Sequence, residues 1–275
     1  MAKTVEEAAL RAALVTSGSP WRTVEHHETI ESTNARAAEL ARLGRSWAVV
    51  VADHQSAGRG RLARSWQAPP GTSVAVSATV PLPAANGGWV PLLTGLAVAD
   101  AVEEVAGVSA RLKWPNDVLL PSDGDRKVCG ILCEATRSLV VVGAGVNLTQ
   151  ARDELPVDTA TSLALVGAEV DPTTLVAAYL RALGARLAPL LDPDPDAAAA
   201  AVAEASRAYR ARCATVGRRV RLHRSGPADV VGTAVDVDAE GRLVIEQEGK
   251  RTAWAAGDIV HVRPDPAPGV ATELA

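Results

Sequence analysis

Three short apolar runs joined by tight turns occupy the middle of the sequence and constrain the fold more than any other feature. They span residues 109–120, 127–135 and 138–147. The polar cluster at 122–125 makes the first connection a hairpin. Neighbouring strands with such short connections predict an antiparallel or mixed sheet with helices packed on it.

The residues before this sheet alternate between helical and strand-like patterns. Helical apolar spacing predicts helices over about 5–15, 34–43 and 88–106. Strands are predicted over about 23–28, 47–53 and 72–80, the last of them half-buried. Ser32, Thr33 and Asn34 supply N-cap chemistry for the second helix.

The last third of the chain changes character. Helical spacing runs from about 171 to 212, with a Pro-rich interruption at 191–196. Short Val-rich strands separated by turn residues follow, in the spacing of a small barrel. We therefore expect an α+β protein with a large domain over 1–213, a small β domain over 214–265 and a flexible tail over 266–275.

Composition narrows the class of partner. The 275 residues carry a formal net charge of −4, which argues against a generally basic nucleic-acid or membrane binder. No apolar run is expected to span a membrane, and the stretch before the first strand is too short for a helix-turn-helix domain. The three cysteines, an odd count, speak against a disulfide scaffold and favour a reducing, cytoplasmic location.

A segment rich in glycine and arginine follows the strand predicted over 47–53. Residues 58–66 read GRGRLARSW and include Arg59, Arg61 and Arg64. Glycines let backbone N–H groups approach a ligand closely, and arginines bind phosphate or carboxylate through forked donors. A basic run is usually a solvated surface loop. Here the net charge is negative and the segment abuts a strand end, so we favour an anion site.

A second polar segment runs from Lys113 to Asp117, where one strand is expected to end and another to begin. The lysine can hold a phosphate, while the oxygens of Asn116 and Asp117 suit Mg²⁺. Taken alone, Pro-Asn-Asp is a turn signal more often than a metal site. Lys127 lies beside Gly130 at the start of the next strand. A lone lysine in such a position is normally solvated, and only its nearness to this segment makes Lys127 a candidate site residue.

The segment GAGVN at 143–147 begins like a dinucleotide loop, but its third glycine is missing and no βαβ unit follows. Asn147 stays a candidate polar contact. The sequence carries no P-loop, serine-hydrolase or zincin signature. The residues by themselves therefore predict an enzyme that handles an anionic, phosphate-bearing ligand with Mg²⁺, and they do not identify an acyl group.

Five sequence blocks taken together resemble the biotin protein ligases. They are EST(N) at 31–34, QSAGRGRLARSW at 55–66, KWPNDVLL at 113–120, KVCGILCE at 127–134 and GAGVN at 143–147, in the family's order and spacing. The C-terminal strands are similar to the family's SH3-like domain. The resemblance implies a catalytic fold like that of class II aminoacyl-tRNA synthetases. It also implies that biotin and MgATP form biotinyl-5′-AMP and pyrophosphate, after which a lysine of a biotin carboxyl carrier domain of acyl-CoA carboxylases takes the biotin.

The resemblance further implies roles for individual residues. The biotin site would comprise Ser32, Thr33, Asn34, Gln55, Arg59, Gly60, Arg61, Lys127 and Gly130. The nucleotide side would comprise Arg64, Trp66, Lys113, Asn116, Asp117 and Asn147, with Asn116 and Asp117 near the metal. Lys127, Arg59 and Arg61 would act in catalysis by offsetting the repulsion between two anions. ATP, Mg²⁺ and biotin would be the small-molecule partners, with no prosthetic group.

Other interpretations stay open beside this one. Lipoate ligases and octanoyl transferases also modify carrier lysines, but they lack the GRGRxxRxW loop. An idle biotin-binding or nucleotide-binding module would not need Lys127, Asn116 and Asp117 together with the arginines. A nucleic-acid binder is the weakest alternative, and the DNA-binding repressor function of some family members is not expected. The sequence leaves open whether the chain forms a homodimer.

Overall fold

The computed structural model describes residues 3–61, 64–223 and 228–262. The first nine strands are β1 (Thr23–Ile30), β2 (Ala48–Gln55), β3 (Gly58–Arg59), β4 (Ser65–Trp66), β5 (Ser73–Pro81), β6 (Arg111–Lys113), β7 (Asp117–Leu120), β8 (Arg126–Ala135) and β9 (Leu139–Asn147). Seven of them form one sheet in the order β1-β2-β5-β9-β8-β7-β6, and β3 pairs with β4 in a separate ribbon. β1 and β2 run parallel, whereas the other neighbours in the large sheet are antiparallel. The predicted mixed sheet is confirmed.

Helices cover both faces of this sheet. The described α-helices are α1 (Glu7–Leu14), α2 (Thr33–Arg42), α3 (Trp89–Ala106), α4 (Pro172–Leu187) and α5 (Pro195–Arg212). α3 and α4 pack against each other over one face, and α2 packs against β2, β5 and β9 on the other. The Ser32 hydroxyl accepts a hydrogen bond from the Ala35 backbone N–H at 3.3 Å, as expected of the N-cap of α2.

One strand prediction is wrong in detail. β5 is buried along almost its whole length rather than half-buried, because it lies between β2 and β9 with helices on both faces. The run at 109–120 is a hairpin in which β6 ends at Lys113 and β7 begins at Asp117, as the sequence predicts, and these two residues stand opposite each other. The residues between these strands form its tip, so the predicted polar segment lies at a turn.

The C-terminal residues form a second sheet. Its strands are β10 (Arg219–His223), β11 (Val230–Val237), β12 (Leu243–Gln247), β13 (Lys250–Trp254) and β14 (Asp258–His261), in the antiparallel order β13-β12-β11-β10-β14. Because β14 pairs with β10, it lies at the edge opposite β13, and within the described residues these two edges do not pair. The small β domain is therefore an open sheet where a closed barrel was expected. The predicted flexible tail over 266–275 lies outside the described residues.

Two buried tryptophans dock this second sheet. Trp89 Nε1 donates to Ala239 O at 2.7 Å, and Trp114 Nε1 donates to Gly241 O at 3.0 Å. Gly241 has φ +78° and lies so close to Gly88 that a Cβ would be 3.0 Å from its carbonyl oxygen. Both facts require glycine in the turn between β11 and β12. The turn is thereby held against α3 and the tip of the β6–β7 hairpin.

One segment, Pro172–Leu191, is long and apolar enough by length and composition to cross a membrane, contrary to the expectation from the sequence. Of the most apolar 18-residue stretch within this segment, 56% is buried inside the fold. Leu180 and Leu183 are fully buried against the rest of the core. The segment consists of α4 and its extension, and its burial identifies it as a core helix.

His261 lies where the second sheet meets the first. Its Nε2 is 3.2 Å from Thr215 Oγ1, and its Nδ1 is 3.3 Å from the Arg218 guanidinium. Burial lowers the pKa of His261 to about 4, and the nearby charges of Lys113 and Arg218 add to this lowering against two aspartates. The imidazole is therefore neutral in the folded protein at mildly acidic pH.

Acidification should destabilise the fold through His261. The unfolded chain takes up this proton near pH 6.5, whereas the folded protein does so only near pH 4. Between these values the unfolded state binds more protons, so the free energy of unfolding falls as pH falls. We expect His261→Gln to lose less unfolding free energy than the wild type between pH 7.5 and 4.5, measured by urea denaturation. Equal losses in the two proteins would contradict this assignment.

Candidate functional site

A row of very small residues crosses one face of the large sheet. The row consists of residues that pair across neighbouring strands, namely Ala52 on β2, Ala75 on β5, Gly145 on β9, Gly130 on β8 and Asp117 on β7. Opposed residues of antiparallel strands share a face. We call this row the glycine trench. With strands about 4.8 Å apart, it runs about 14 Å from Ala75 to Asp117, so one of its ends is a carboxylate.

The indole of Trp66 lies against the floor of the glycine trench. A Cβ on Gly145 would be 2.7 Å from its Cε2 atom, and one on Gly130 would be 2.9 Å from its Cζ3 atom. Trp66 is placed there by its pairing with Gly58 in the β3–β4 ribbon. Its buried Nε1 has no hydrogen-bond partner among the described residues, which leaves it available as a donor to a ligand.

Positive charge collects at the Asp117 end of the trench. Lys127 Nζ lies 2.6 Å from Asp117 Oδ1, and Lys113 Nζ lies 3.7 Å from Oδ2. The Lys127 ammonium is also 5.7 Å from the centroid of the Trp66 ring, within the range of a cation–π interaction. Two lysines thus share one carboxylate, and the surplus positive charge suits an anionic ligand.

Arg61 joins this end through Asn116. Its guanidinium donates to Asn116 Oδ1 at 3.1 Å, while Asn116 Nδ2 donates to Ile131 O at 3.0 Å. Each side-chain oxygen of Asn116 and Asp117 therefore faces a cationic group. A divalent cation needs free oxygen ligands and is repelled by neighbouring positive charges. The predicted Mg²⁺ ligands Asn116 and Asp117 do not fit a metal in this arrangement, and we place none on them.

The other two arginines of the Gly-rich segment lie near acidic groups on different elements. Arg59 is 3.8 Å from Glu134 Oε2 at the end of β8, and Arg64 pairs with Asp258 of β14. The Gly60 backbone N–H donates to Arg64 O at 2.7 Å. Leu62 and Ala63, also in this segment, lie outside the described residues. The segment thus extends from the edge of the trench to the C-terminal sheet.

A buried polar network flanks the trench at the start of α2. The Thr33 backbone N–H donates to Gln55 Oε1 at 2.8 Å. Ser77 Oγ lies 2.7 Å from Thr33 Oγ1 and 2.6 Å from Asn34 Oδ1. Asn34 Nδ2 donates to Glu134 Oε2 at 2.7 Å. The structure thus brings the predicted residues Thr33, Asn34 and Gln55 together.

Two residues of this network were missed from the sequence. Ser77 is fully buried on β5, and only its polar character at a core-facing position could have signalled it. Glu134 closes the KVCGILCE block, and no role is predicted for it from the sequence. Asp258 of the C-terminal sheet was missed as well, because a contact 194 positions from Arg64 leaves no local pattern.

The polar side-chain atoms of Asn147 are hydrogen-bonded to other residues of the protein. Its Nδ2 donates to Thr161 O at 2.9 Å, and its Oδ1 accepts from Gln150 Nε2 at 3.0 Å. The side chain is 4% exposed and holds the segment that follows β9. Its predicted contact with a nucleotide stays a prediction.

The arrangement suits a ligand with three distinct parts. The network around Thr33 and Gln55 offers hydroxyl and amide groups to a neutral head that carries both N–H and carbonyl groups. The Trp66 indole lies over Gly130 and Gly145, so the glycine trench accepts a thin apolar body beside this ring or in its place. The cluster around Lys127 accepts an anionic end, and its surplus charge can stabilise negative charge that develops during a reaction.

Two family profiles match the sequence. That of the Biotin/lipoate A/B protein ligase family matches residues 27–147, which contain the trench, the network and the lysine cluster. That of the Biotin protein ligase C terminal domain matches residues 215–262.

Individual proteins match over nearly the whole chain. The biotin--[acetyl-CoA-carboxylase] ligase of Mycobacterium tuberculosis is 38% identical over 94% of this chain and 96% of its own length. The protein of the same name from Paracoccus denitrificans is 33% identical over 83% of this chain and 96% of its own. The biotin protein ligase from Aquifex aeolicus, solved in complex with biotin and ATP, superposes with a TM-score of 0.72 at 25% identity, over 89% of this chain and 100% of that one.

Proposed function

The chain belongs to the biotin/lipoate A/B protein ligase family, within it to the biotin protein ligases, and we propose on this basis how its residues divide the reaction. The protein is an enzyme that activates biotin with MgATP to biotinyl-5′-AMP and pyrophosphate and then transfers biotin to a protein lysine. Biotin, ATP and Mg²⁺ enter as substrates, and no prosthetic group is expected.

Biotin lies along the glycine trench in this proposal. Its ureido head, with two N–H donors and a carbonyl acceptor, faces Thr33 and Gln55, and its carboxylate faces Lys127. The single observation that carries the placement is the glycine floor of Gly130 and Gly145 between a buried polar network and a surplus of positive charge.

Adenylation brings two anions together, and the cations oppose their repulsion. Lys127, Arg59 and Arg61 would stabilise the charge that spreads over the reacting carboxylate and phosphate oxygens. Arg64, Trp66 and Lys113 would serve the nucleotide, and Asn116 would hold Arg61 in place. Mg²⁺ arrives with the ATP phosphates, whose charge it neutralises.

The acceptor is a lysine of a biotin carboxyl carrier domain of an acyl-CoA carboxylase. The names of the two relatives above support this choice of partner. We also propose a catalytic domain over 1–213 and a C-terminal domain over 214–265. A cytoplasmic location, the lack of nucleic-acid binding and repressor function, and a homodimer stay predictions. Retardation of double-stranded DNA by the protein at physiological salt would contradict the second of these.

A labelling assay tests the proposed function. The protein is incubated with biotin, MgATP and a biotin carrier domain, and the carrier is analysed by mass spectrometry, with octanoate and lipoate in parallel reactions. We expect biotin on the carrier lysine only when ATP is present. Octanoate or lipoate attached in preference to biotin would make the acyl assignment wrong, and binding of biotin without any labelling would favour an idle binding module.

A further inference from the structure

One continuous line of side chains connects the Gly-rich segment to the end of β2. In order, it consists of Arg59, Glu134, Asn34, Ser77, Thr33 and Gln55. Asn34 and Thr33 are 6% and 3% exposed and Ser77 is fully buried, so water cannot replace a lost partner without cost. The line has a charged pair at one end and the proposed ureido site at the other.

The direction of the hydrogen bonds follows from the chemistry of the partners. Asn34 Nδ2 faces Glu134 Oε2 at 2.7 Å and Leu132 O at 3.3 Å, and both of these atoms can only accept. The amide nitrogen must therefore point toward them, which turns Asn34 Oδ1 toward Ser77. Since that oxygen can only accept, the single Ser77 hydroxyl proton goes to Asn34.

The direction passes on to the Thr33 hydroxyl. With its proton committed, Ser77 Oγ can only accept across the 2.7 Å contact, so the Thr33 hydroxyl donates to it and has no proton left for Gln55 Oε1 at 3.1 Å. Gln55 Oε1 accepts from the Thr33 backbone N–H at 2.8 Å whichever way the line runs, which leaves Gln55 Nε2 as a donor to a ligand. The network thus presents an amide donor and hydroxyl lone pairs to a ligand.

We propose, on the basis of the proposed function, that Glu134 is a positioning residue whose carboxylate fixes the direction of this line and so selects the ureido head of biotin. A carboxylate is the one side-chain end that can never donate while ionised. The glutamine in Glu134→Gln offers an NH₂ group as well as an oxygen. Asn34 can then rotate by half a turn at the expense of its 3.3 Å bond to Leu132 O, and the Thr33 hydroxyl proton can turn from Ser77 toward Gln55 and the ligand.

Gly143 keeps the line in register with the sheet. It stands opposite Ser77 on β5 and Leu132 on β8, and a Cβ there would lie 2.1 Å from Asn34 Oδ1. The absence of a side chain lets Asn34 lie directly on the strand. The side chains of the line therefore pack directly against the backbone of the sheet.

The test compares biotin with 2-iminobiotin, in which an NH group replaces the ureido oxygen. Rates of substrate-dependent pyrophosphate release give kcat/KM for each compound with the wild type, Glu134→Gln, Glu134→Asp and, as a control, Glu204→Gln at an exposed site on α5. We expect the preference for biotin to fall about tenfold in Glu134→Gln, the size of effect of one mispaired buried group. Glu134→Asp, which keeps the acceptor, should retain more of the preference, and Glu204→Gln should keep all of it.

The ratio of the two kcat/KM values separates positioning from general damage. Loss of the attraction between Glu134 and Arg59 changes kcat for both compounds alike and cancels in the ratio. Ser77→Ala is a second variant, nearly equal in volume, that breaks the same line if Glu134→Gln does not fold. It should lower the ratio as well, and the double variant should lower it no further, because both changes act on one network.

The outcomes distinguish the two claims. A wild type that releases no pyrophosphate with biotin would overturn the proposed function and this inference with it. An active wild type whose preference for biotin survives both Glu134→Gln and Ser77→Ala would overturn the inference alone.

Discussion

Replacing Lys127 with alanine is expected to lower kcat for biotinyl-adenylate formation by roughly a hundredfold to a thousandfold. The ammonium lies 2.6 Å from Asp117 and supplies half of the positive charge that the two lysines place at the trench end. Without it, Asp117 keeps only the more distant Lys113 as a partner. The surplus charge is lost, and the carboxylate repels the anions that the site must bring together.

Pre-steady-state formation of adenylate, with ATP and biotin saturating, measures this effect. Lys250→Ala serves as the control, since it removes a lysine from the exposed edge strand β13. A Lys127→Ala enzyme that forms adenylate within about threefold of the control would remove Lys127 from the catalytic role. A larger effect on KM than on kcat would mean that Lys127 binds biotin without aiding the reaction.

Replacing Gly143 with alanine is expected to destabilise the fold by about 1–3 kcal/mol and to raise KM for biotin at least about tenfold. The new Cβ would lie 2.1 Å from Asn34 Oδ1 and 2.9 Å from its Cγ. Asn34 is buried against β9 and hydrogen-bonded on both ends, so it cannot move aside without breaking those bonds. The loss would therefore reach both the sheet and the ureido end of the site.

Urea denaturation and biotin titration of the rate measure the two effects. Gly87→Ala is a matched control, because the nearest atom to its Cβ is Leu82 Cδ1 at 3.8 Å, an ordinary contact. Gly143→Ala with the stability and KM of this control would show that Asn34 moves freely, and it would weaken the account of the buried network.

Local patterns in the sequence were sufficient to predict the secondary structure around the site. The tight turn at 122–125 predicts the β7–β8 hairpin, and Ser32 caps α2 as its residue type suggests. Within the run at 109–120, Leu112 and Val118 continue an apolar pattern across a turn whose tip holds the buried Trp114, and only the polar segment at 113–117 marks the break between the two strands. A tryptophan that anchors another domain looks like a strand residue in the sequence.

The site itself could be predicted only in its motif residues. Arg61 and Lys127 fall within the recognisable blocks, and the structure places both near Asp117 and Asn116. The glycine trench depends on which residues of separate strands stand opposite one another, and that register is invisible in a one-dimensional pattern. The assignment of Asn116 and Asp117 as metal ligands stays a prediction, and the sequence did not show that cations from Arg61, Lys113 and Lys127 would face their oxygens.

Exchange of labelled pyrophosphate into ATP tests the central claim most directly, namely that this trench activates the biotin carboxylate with ATP. We predict exchange by the wild type that requires biotin, needs no carrier domain and falls by roughly a hundredfold to a thousandfold in Lys127→Ala. Exchange of equal rate without biotin would contradict this claim, as would a wild type that labels a carrier domain yet never exchanges pyrophosphate.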